Sequence, residues 1–240
     1  SIANFGWREP KGRQDRITVL KYGAFYKGTL ISEIKTSTFF IDENWRNSFH
    51  KMKHRLPIIS ISTNKDNLFS MDSGIYVSGN SFNPDKNPSY SGNYRLRGKK
   101  SERQVHVSYF NHEGELDFEL NLGMRIHGGI TRRNPQKSLK FYARKEFGAE
   151  EVPLSFLAKK GVKRFIVESM QESGAGQALI EDVSAQEIVK KLGLEQQNFQ
   201  PVIVFINGEY WGLHTIRDKL DEHYLAYKYN ISIDSLDVID

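Results

Sequence analysis

An α+β fold, mainly antiparallel sheet with two principal helices, is what this 240-residue chain predicts, and three observations predict it. Short runs alternate apolar and polar residues with the period of two that strands require, and turn residues join them, most plainly at Asn207-Gly208. Helical periodicity is clear in only two stretches, both late in the chain. Nothing follows the alternating βαβ rhythm that would suggest a nicotinamide-binding or P-loop fold.

Taken in order, residues 17–26 and 30–41 predict a β-hairpin about a Lys27-Gly28 turn. One hairpin is too little to fold alone, so residues 1–41 either add to the main sheet or form the tail of an upstream β-sandwich. A polar connection opens the main domain, 42–240. Residues 56–63 read as a strongly apolar strand and 64–69 as a helical turn. Residues 78–93, mostly Gly, Ser, Asn and Pro, predict a long surface loop. Residues 104–110 and 115–120 predict a hairpin, and 164–170 a further strand. Residues 178–192 predict the best helix, with Leu179, Val183, Ile188, Val189 and Leu192 near one face, acids early, lysines late and Gly193 ending it. Residues 201–206 and 210–216 flank the Asn-Gly turn, and a second helix is expected from Asp218 to about Tyr229.

Composition narrows the chemistry. An apolar fraction of 38% with 12% aromatic residues argues for a folded chain, and no apolar run reaches membrane-spanning length. Without cysteine there are no disulfides, thiolate metal sites or cysteine nucleophiles. The net charge of +5 comes from 34 basic and 29 acidic residues, a modest excess that does not describe a nucleic-acid-binding protein. Clustering matters more than the total. The Gly-x-Gly-x-x-Gly, Walker, His-Glu-x-x-His and Gly-x-Ser-x-Gly signatures are all missing. His50 and His54 stand four apart with no glutamate in the metalloprotease pattern, so two surface histidines are expected there.

One stretch concentrates the charge. Between Arg125 and Lys145 lie seven basic residues and one histidine but no acid. Residues 120–126 and 139–143 alternate as strands, so Arg125 and His127 share a polar face, as do Lys140, Tyr142 and Arg144. Gly128-Gly129 frees the backbone between them and Asn134-Pro135 marks a turn. Such a basic hairpin suits phosphate, because Arg and Lys side chains and backbone N–H groups all donate to its oxygens. A solvated strand face is the plainer alternative. A second cluster, Arg95, Arg97, Lys99, Lys100 and Arg103, follows the long loop.

The segments Met124-Arg-Ile-His-Gly-Gly, Gln136-Lys-Ser-Leu-Lys-Phe-Tyr-Ala-Arg and Asn207-Gly-Glu-Tyr-Trp-Gly-Leu-His-Thr-Ile-Arg-Asp resemble the spore coat protein H (CotH) kinase family, in the family's order. With weaker stretches the resemblance covers about residues 55–240, and residues 1–41 resemble the last strands of a chitobiase-like β-sandwich. The resemblance implies an atypical protein-kinase-like lobe that binds ATP with magnesium or manganese and acts on a protein phosphoacceptor, in a bacterial protein that is secreted or held at the cell envelope. It implies nucleotide-facing roles for Arg125, Lys137 and Lys140, with Gly128 and Gly129 allowing close approach and Asp182 orienting a lysine. Asp218 stands where the family usually has glutamate. The family's catalytic and metal-binding aspartates lie further along than this chain runs, which implies a domain incomplete at its C-terminus and catalytic and metal-binding residues not identified here. The alternative is a non-catalytic surface adhesion module using Tyr210, Trp211 and the basic strand.

Overall fold

Seven of the alternating runs close on themselves as a β-barrel. The structure is a computed structural model and describes residues 11–12, 15–41, 56–87, 90–157, 161–169, 181–189, 192–194 and 196–237, with backbone alone at 181–183. His50 and His54 therefore lie outside the described residues. The barrel strands are β5 (Ile58–Ser62), β6 (Arg103–Phe110), β7 (Leu116–Ile126), β8 (Leu139–Tyr142), β9 (Arg164–Ser169), β10 (Phe199–Ile206) and β11 (Glu209–Asp218). They pair in the order β10, β11, β9, β8, β7, β6, β5, and β5 returns to β10. That last pairing is the barrel's parallel one; the others are antiparallel.

Alternation along each strand fills the barrel. Ile59 and Ile61, Val105 and Val107, Leu122, Met124 and Ile126, Leu139 and Phe141, Phe165 and Val167, Val202 and Val204, and Ile216 make one buried cluster. Phe141 and Phe165 stack at 4.8 Å. The tight turn at Asn207-Gly208 has φ of +50° and +84°, the left-handed pair that an Asn-Gly hairpin requires.

The N-terminal segment gives β1 (Thr18–Tyr22), β2 (Phe25–Tyr26), β3 (Thr29–Leu30) and β4 (Lys35–Phe39), with β1 paired to β4 and β2 to β3 across Lys27-Gly28. This hairpin docks on the outer wall formed by β5, β6 and β10. Ile17 joins Ile58, Phe110 and Phe205 in a small buried cluster, Phe40 meets Phe110 edge-on at 4.9 Å, and Thr38 Oγ1 donates to Ser60 Oγ at 3.0 Å. Covered on both faces, β5 is buried throughout, which is why its sequence is a nearly unbroken apolar run.

Three helices complete the described fold: α1 (Lys65–Phe69), α2 (Glu181–Val189) and α3 (Glu222–Tyr229). The two longest stand where helical periodicity predicts them, and two details differ. Asp218 is the last residue of β11, held by register opposite Phe165, and α3 starts after Asp221, whose carboxylate accepts from Tyr224 N at 3.3 Å and so caps it. In α2 the expected apolar face is not buried: Ile188 is 72% exposed, as is Leu192 just beyond, while the side chains of Leu179 and Val183 lie outside the described residues.

The expected surface loop at 78–93 is anchored at both ends. Ser78, Ser91 and Asn93 are buried, and Asn93 N donates to Ser78 O at 2.6 Å while its side chain bonds Met71 O and Ser81 N. Asn93 fills the space a Cβ on Gly79 would need.

Candidate functional site

The barrel's outer face across β7, β8 and β9 carries the chain's densest set of cations among the described residues. Register fixes it: Arg125 lies opposite Lys140, Lys140 opposite Ile166, and Tyr142 between Gly123 and Arg164. The ring of Tyr142 is the platform. Arg125 lies 4.5 Å from its centroid, Arg144 5.1 Å, Lys140 5.2 Å and Arg164 5.9 Å.

Like charges this close need compensation, and carboxylates supply most of it. Glu102, its side chain only 2% exposed, accepts from Arg125 Nε and from Arg144 Nε, each at 2.8 Å. Gly123 makes that clamp possible, because a Cβ there would lie 2.2 Å from Glu102 Oε1. Arg164 Nη1 pairs with Asp221 at 3.0 Å and Glu222 at 3.2 Å, and its Nη2 meets His223 Nε2 at 2.7 Å. Arg217, one strand over, pairs with Glu168 at 2.7 Å.

Lys140 differs from all of these. Among the described residues its ammonium has no hydrogen bond or ion pair, only the Tyr142 ring face. Burial, reinforced by Lys219 and partly offset by Asp221, pushes its pKa down to about 8. His127, one pleat along on the same outer face, is pushed down to about 4 by burial and by Lys140, Lys219, Arg132 and Arg97, so it is neutral at pH 7. The positive field thus runs from Arg97 past the neutral His127 and Lys140 to Arg164, and on the Tyr142 platform Lys140 is, among the described residues, the cation without a carboxylate partner.

Lys137 is not on this face. It is 0% exposed and shares the inward parity of Leu139 and Phe141; its Nζ donates to Arg132 O and Asn134 O at 2.7 Å each and lies 4.6 Å from the Tyr94 ring. Burial lowers its pKa to about 7. Its ammonium ties down the connection between β7 and β8 from inside, on the opposite side of β8 from Lys140.

Gly128 and Gly129 begin that connection. Gly128 has φ of +104°, and its carbonyl accepts from Arg132 Nε at 2.6 Å; that of Gly129 accepts from Arg95. Open space surrounds the Cα of Gly129, on the exposed side of the loop. Asp182 falls in the first turn of α2, and its side chain lies outside the described residues. Asp218 is buried and accepts from Asn198 N at 2.8 Å and Asn198 Nδ2 at 2.9 Å, a clamp between β11 and the start of β10. The structure thus brings together Arg125 and Lys140, sets Gly128 and Gly129 at the end of the same face, turns Lys137 to the inside of the barrel, and places Asp218 in a pocket beside the face that Arg164, Lys219 and Asp221 also line. Tyr142, Glu102 and Arg164 are the residues sequence reasoning passed over. The parity of Tyr142 with Lys140 was the available signal for the first; Glu102, just before β6, and Arg164, on β9, are distant in the chain and gave none.

Trp211, a contact candidate for the adhesion alternative, packs partly buried against the core and donates from Nε1 to Tyr76 Oη at 2.8 Å. Among the described residues no three His, Asp or Glu side chains converge as metal ligands, and no helix is long and apolar enough to cross a membrane.

Residues 124–236 match the family model described as CotH kinase protein, a span that begins on β7 and takes in β8, β9, β10, β11 and all of α3. No curated protein matches the chain.

Proposed function

We propose, on the premise that residues 124–236 belong to the CotH kinase protein family, that the outer face of β7, β8 and β9 is the phosphate-binding surface of an atypical kinase-like module. The observation that carries it is Lys140: every arginine beside it on the Tyr142 platform has a carboxylate partner, and among the described residues Lys140 has none within ion-pair distance. A partly desolvated ammonium among like charges is disfavoured until an anion arrives, and polyphosphate supplies the charge and the acceptor oxygens together. Bound ATP would bring a transferable phosphoryl group. Lys140 would pair with its phosphates, Arg125 and Arg164 would lend long-range charge, and the exposed Gly129 backbone, after the left-handed Gly128, would allow close approach. The neutral His127 ring would border the phosphates without adding charge.

The described residues provide no ligand cluster for a divalent ion, so magnesium or manganese, the protein phosphoacceptor and a secreted or envelope location are carried here by family kinship alone. The pH dependence of ATP affinity tests the phosphate role. Lys140 binds an anion only when protonated, so between pH 7 and pH 9 affinity should fall roughly fivefold or more as it loses its proton around pH 8. An affinity flat across that window contradicts the assignment.

A further inference from the structure

The bend that follows β7 carries a second, compact group of cations. Two single-turn 3₁₀ helices, Asn93–Arg95 and Ile130–Arg133, pack against each other beside Gly128 and Gly129, and Arg97 lies close enough to act on Arg132 through its charge. Arg132 is the centre of the group. It is 8% exposed and donates from Nε to Gly128 O at 2.6 Å and from Nη1 to Tyr94 O at 3.2 Å and Leu96 O at 3.1 Å. Its Nη2 has no hydrogen-bond partner among the described residues. Arg95 donates to Gly129 O, and the exposed Arg97 makes no hydrogen bond or ion pair among the described residues. Carbonyl oxygens thus orient Arg95 and Arg132 while no carboxylate among the described residues cancels the charge of either, or of Arg97. Burial and the like charges of Arg97 and Arg95 push the pKa of Arg132 down to about 10. Cations gathered in this way are relieved by an anion.

We propose that this cluster docks an acidic polypeptide segment, the flank of the phosphoacceptor; the docking rests on the cluster itself, and the segment's identity as phosphoacceptor rests on the phosphate reading of Lys140. Leu96 and Ile130, from the same two turns, are 40% and 53% exposed and give an apolar residue of such a segment a place beside the arginines. Tyr94, the ring nearest in sequence, is 0% exposed and offers no platform on which the bases of single-stranded nucleic acid could stack. Two aliphatic side chains are also too little apolar area to hold a bilayer surface. Position supplies the link to phosphoryl transfer. Arg125 lies opposite Lys140, His127 stands about 7 Å further along the direction of β7, and the glycine bend follows it. An acid about three or four residues from an acceptor hydroxyl at the Lys140 phosphates therefore reaches the arginines.

Fluorescence anisotropy with the 240-residue chain, in the absence of nucleotide, tests the proposal. The probe is a fluorescein-labelled peptide of about 13 residues, with one central serine and glutamates about three and four positions to either side, compared with its glutamine counterpart. The glutamate peptide should bind at least about tenfold more tightly, and Arg97→Glu should remove at least about tenfold of that affinity at an unchanged unfolding midpoint. Lys163→Glu, the same charge change just before β9 at the other end of the cationic face, should cost less than about threefold, and Lys140→Met less than Arg97→Glu does. Should Arg97→Glu misfold, Arg97→Gln makes the comparison at smaller amplitude. Equal binding of the two peptides, indifference to both Arg97 variants, a loss in Lys140→Met as large as in Arg97→Glu, or binding to phosphatidylglycerol vesicles but not to the peptide would each overturn the proposal. ATP titration of these proteins keeps the two readings apart. Peptide bound through Arg97 by a chain that does not bind ATP would keep the docking surface and sink the nucleotide reading, and ATP bound without peptide selectivity would do the reverse.

Discussion

Glu102 is where the candidate site's stability and its affinity pull in opposite directions. Its buried carboxylate holds Arg125 and Arg144 in place over Tyr142, yet it also cancels positive charge a few ångströms from Lys140. Glu102→Gln should therefore lower stability by about 1–3 kcal/mol, since both arginines stay partly solvated and the loss is less than for a fully buried pair. The same change should tighten binding of inorganic triphosphate severalfold. Denaturant unfolding and calorimetry on one sample read both signs; weaker binding at equal stability would show that Glu102 does not act through charge. Much of this residue-level picture was open to sequence reasoning through strand parity alone. Arg125, Lys140 and Tyr142 fall on one face by alternation, and the same count puts Lys137 on the opposite face with Leu139 and Phe141. Treating the lysines as one basic cluster hid that distinction. Glu102 was not legible, because its partners lie 23 and 42 residues away, on β7 and just past β8, where no local pattern specifies the neighbours.

At the scale of elements, local chemistry was the reliable guide. The Asn207-Gly208 turn, the Lys27-Gly28 turn and the strand at β5 formed where their residues demand them. The start of α3 was misplaced because Asp218 and Asp221 both suit a helix N-terminus, and only pairing with β9 draws Asp218 into the sheet. Asp221 serves α3 twice, as N-cap and as partner of Arg164. Asp221→Ala should cost about 1–2 kcal/mol, seen as a lower denaturant midpoint at unchanged m-value, and a loss under about 0.3 kcal/mol would mean that neither contact matters in solution. The outward-facing Ile188 and Leu192 show the limit of periodicity: it marks an apolar stripe without saying what lies against it.

For the molecule as a whole, barrel closure was the feature the sequence could not disclose. The parallel pairing of β5 with β10 joins residues about 145 positions apart, and only the full set of strands selects it. Closure also buries titratable groups. His127 and His214 are both held at about 4, mainly by burial, against 6.5 for an unhindered imidazole. Between pH 6.5 and pH 4 the unfolded chain therefore binds protons that the folded chain refuses, and stability falls as pH falls through that window. Thermal unfolding should show a Tm at least about 5 °C lower near pH 4.5 than at pH 7, and His127→Gln/His214→Gln should flatten the profile. An equally steep profile in that variant would assign the acid sensitivity to other groups.

The central claim is that Lys140 is the charge set aside for phosphate while Lys137 is a structural tie. Calorimetric titration of ATP into the parent, Lys140→Met and Lys137→Met at pH 7, each with its unfolding curve, tests it most directly. The account predicts saturable binding by the parent, at least tenfold weaker binding by Lys140→Met at an unchanged unfolding midpoint, and a loss of about 1–3 kcal/mol in Lys137→Met, which leaves the Arg132 and Asn134 carbonyls without their donor. Lys140→Met binding ATP as the parent does, with Lys137→Met fully stable but unable to bind, would contradict it.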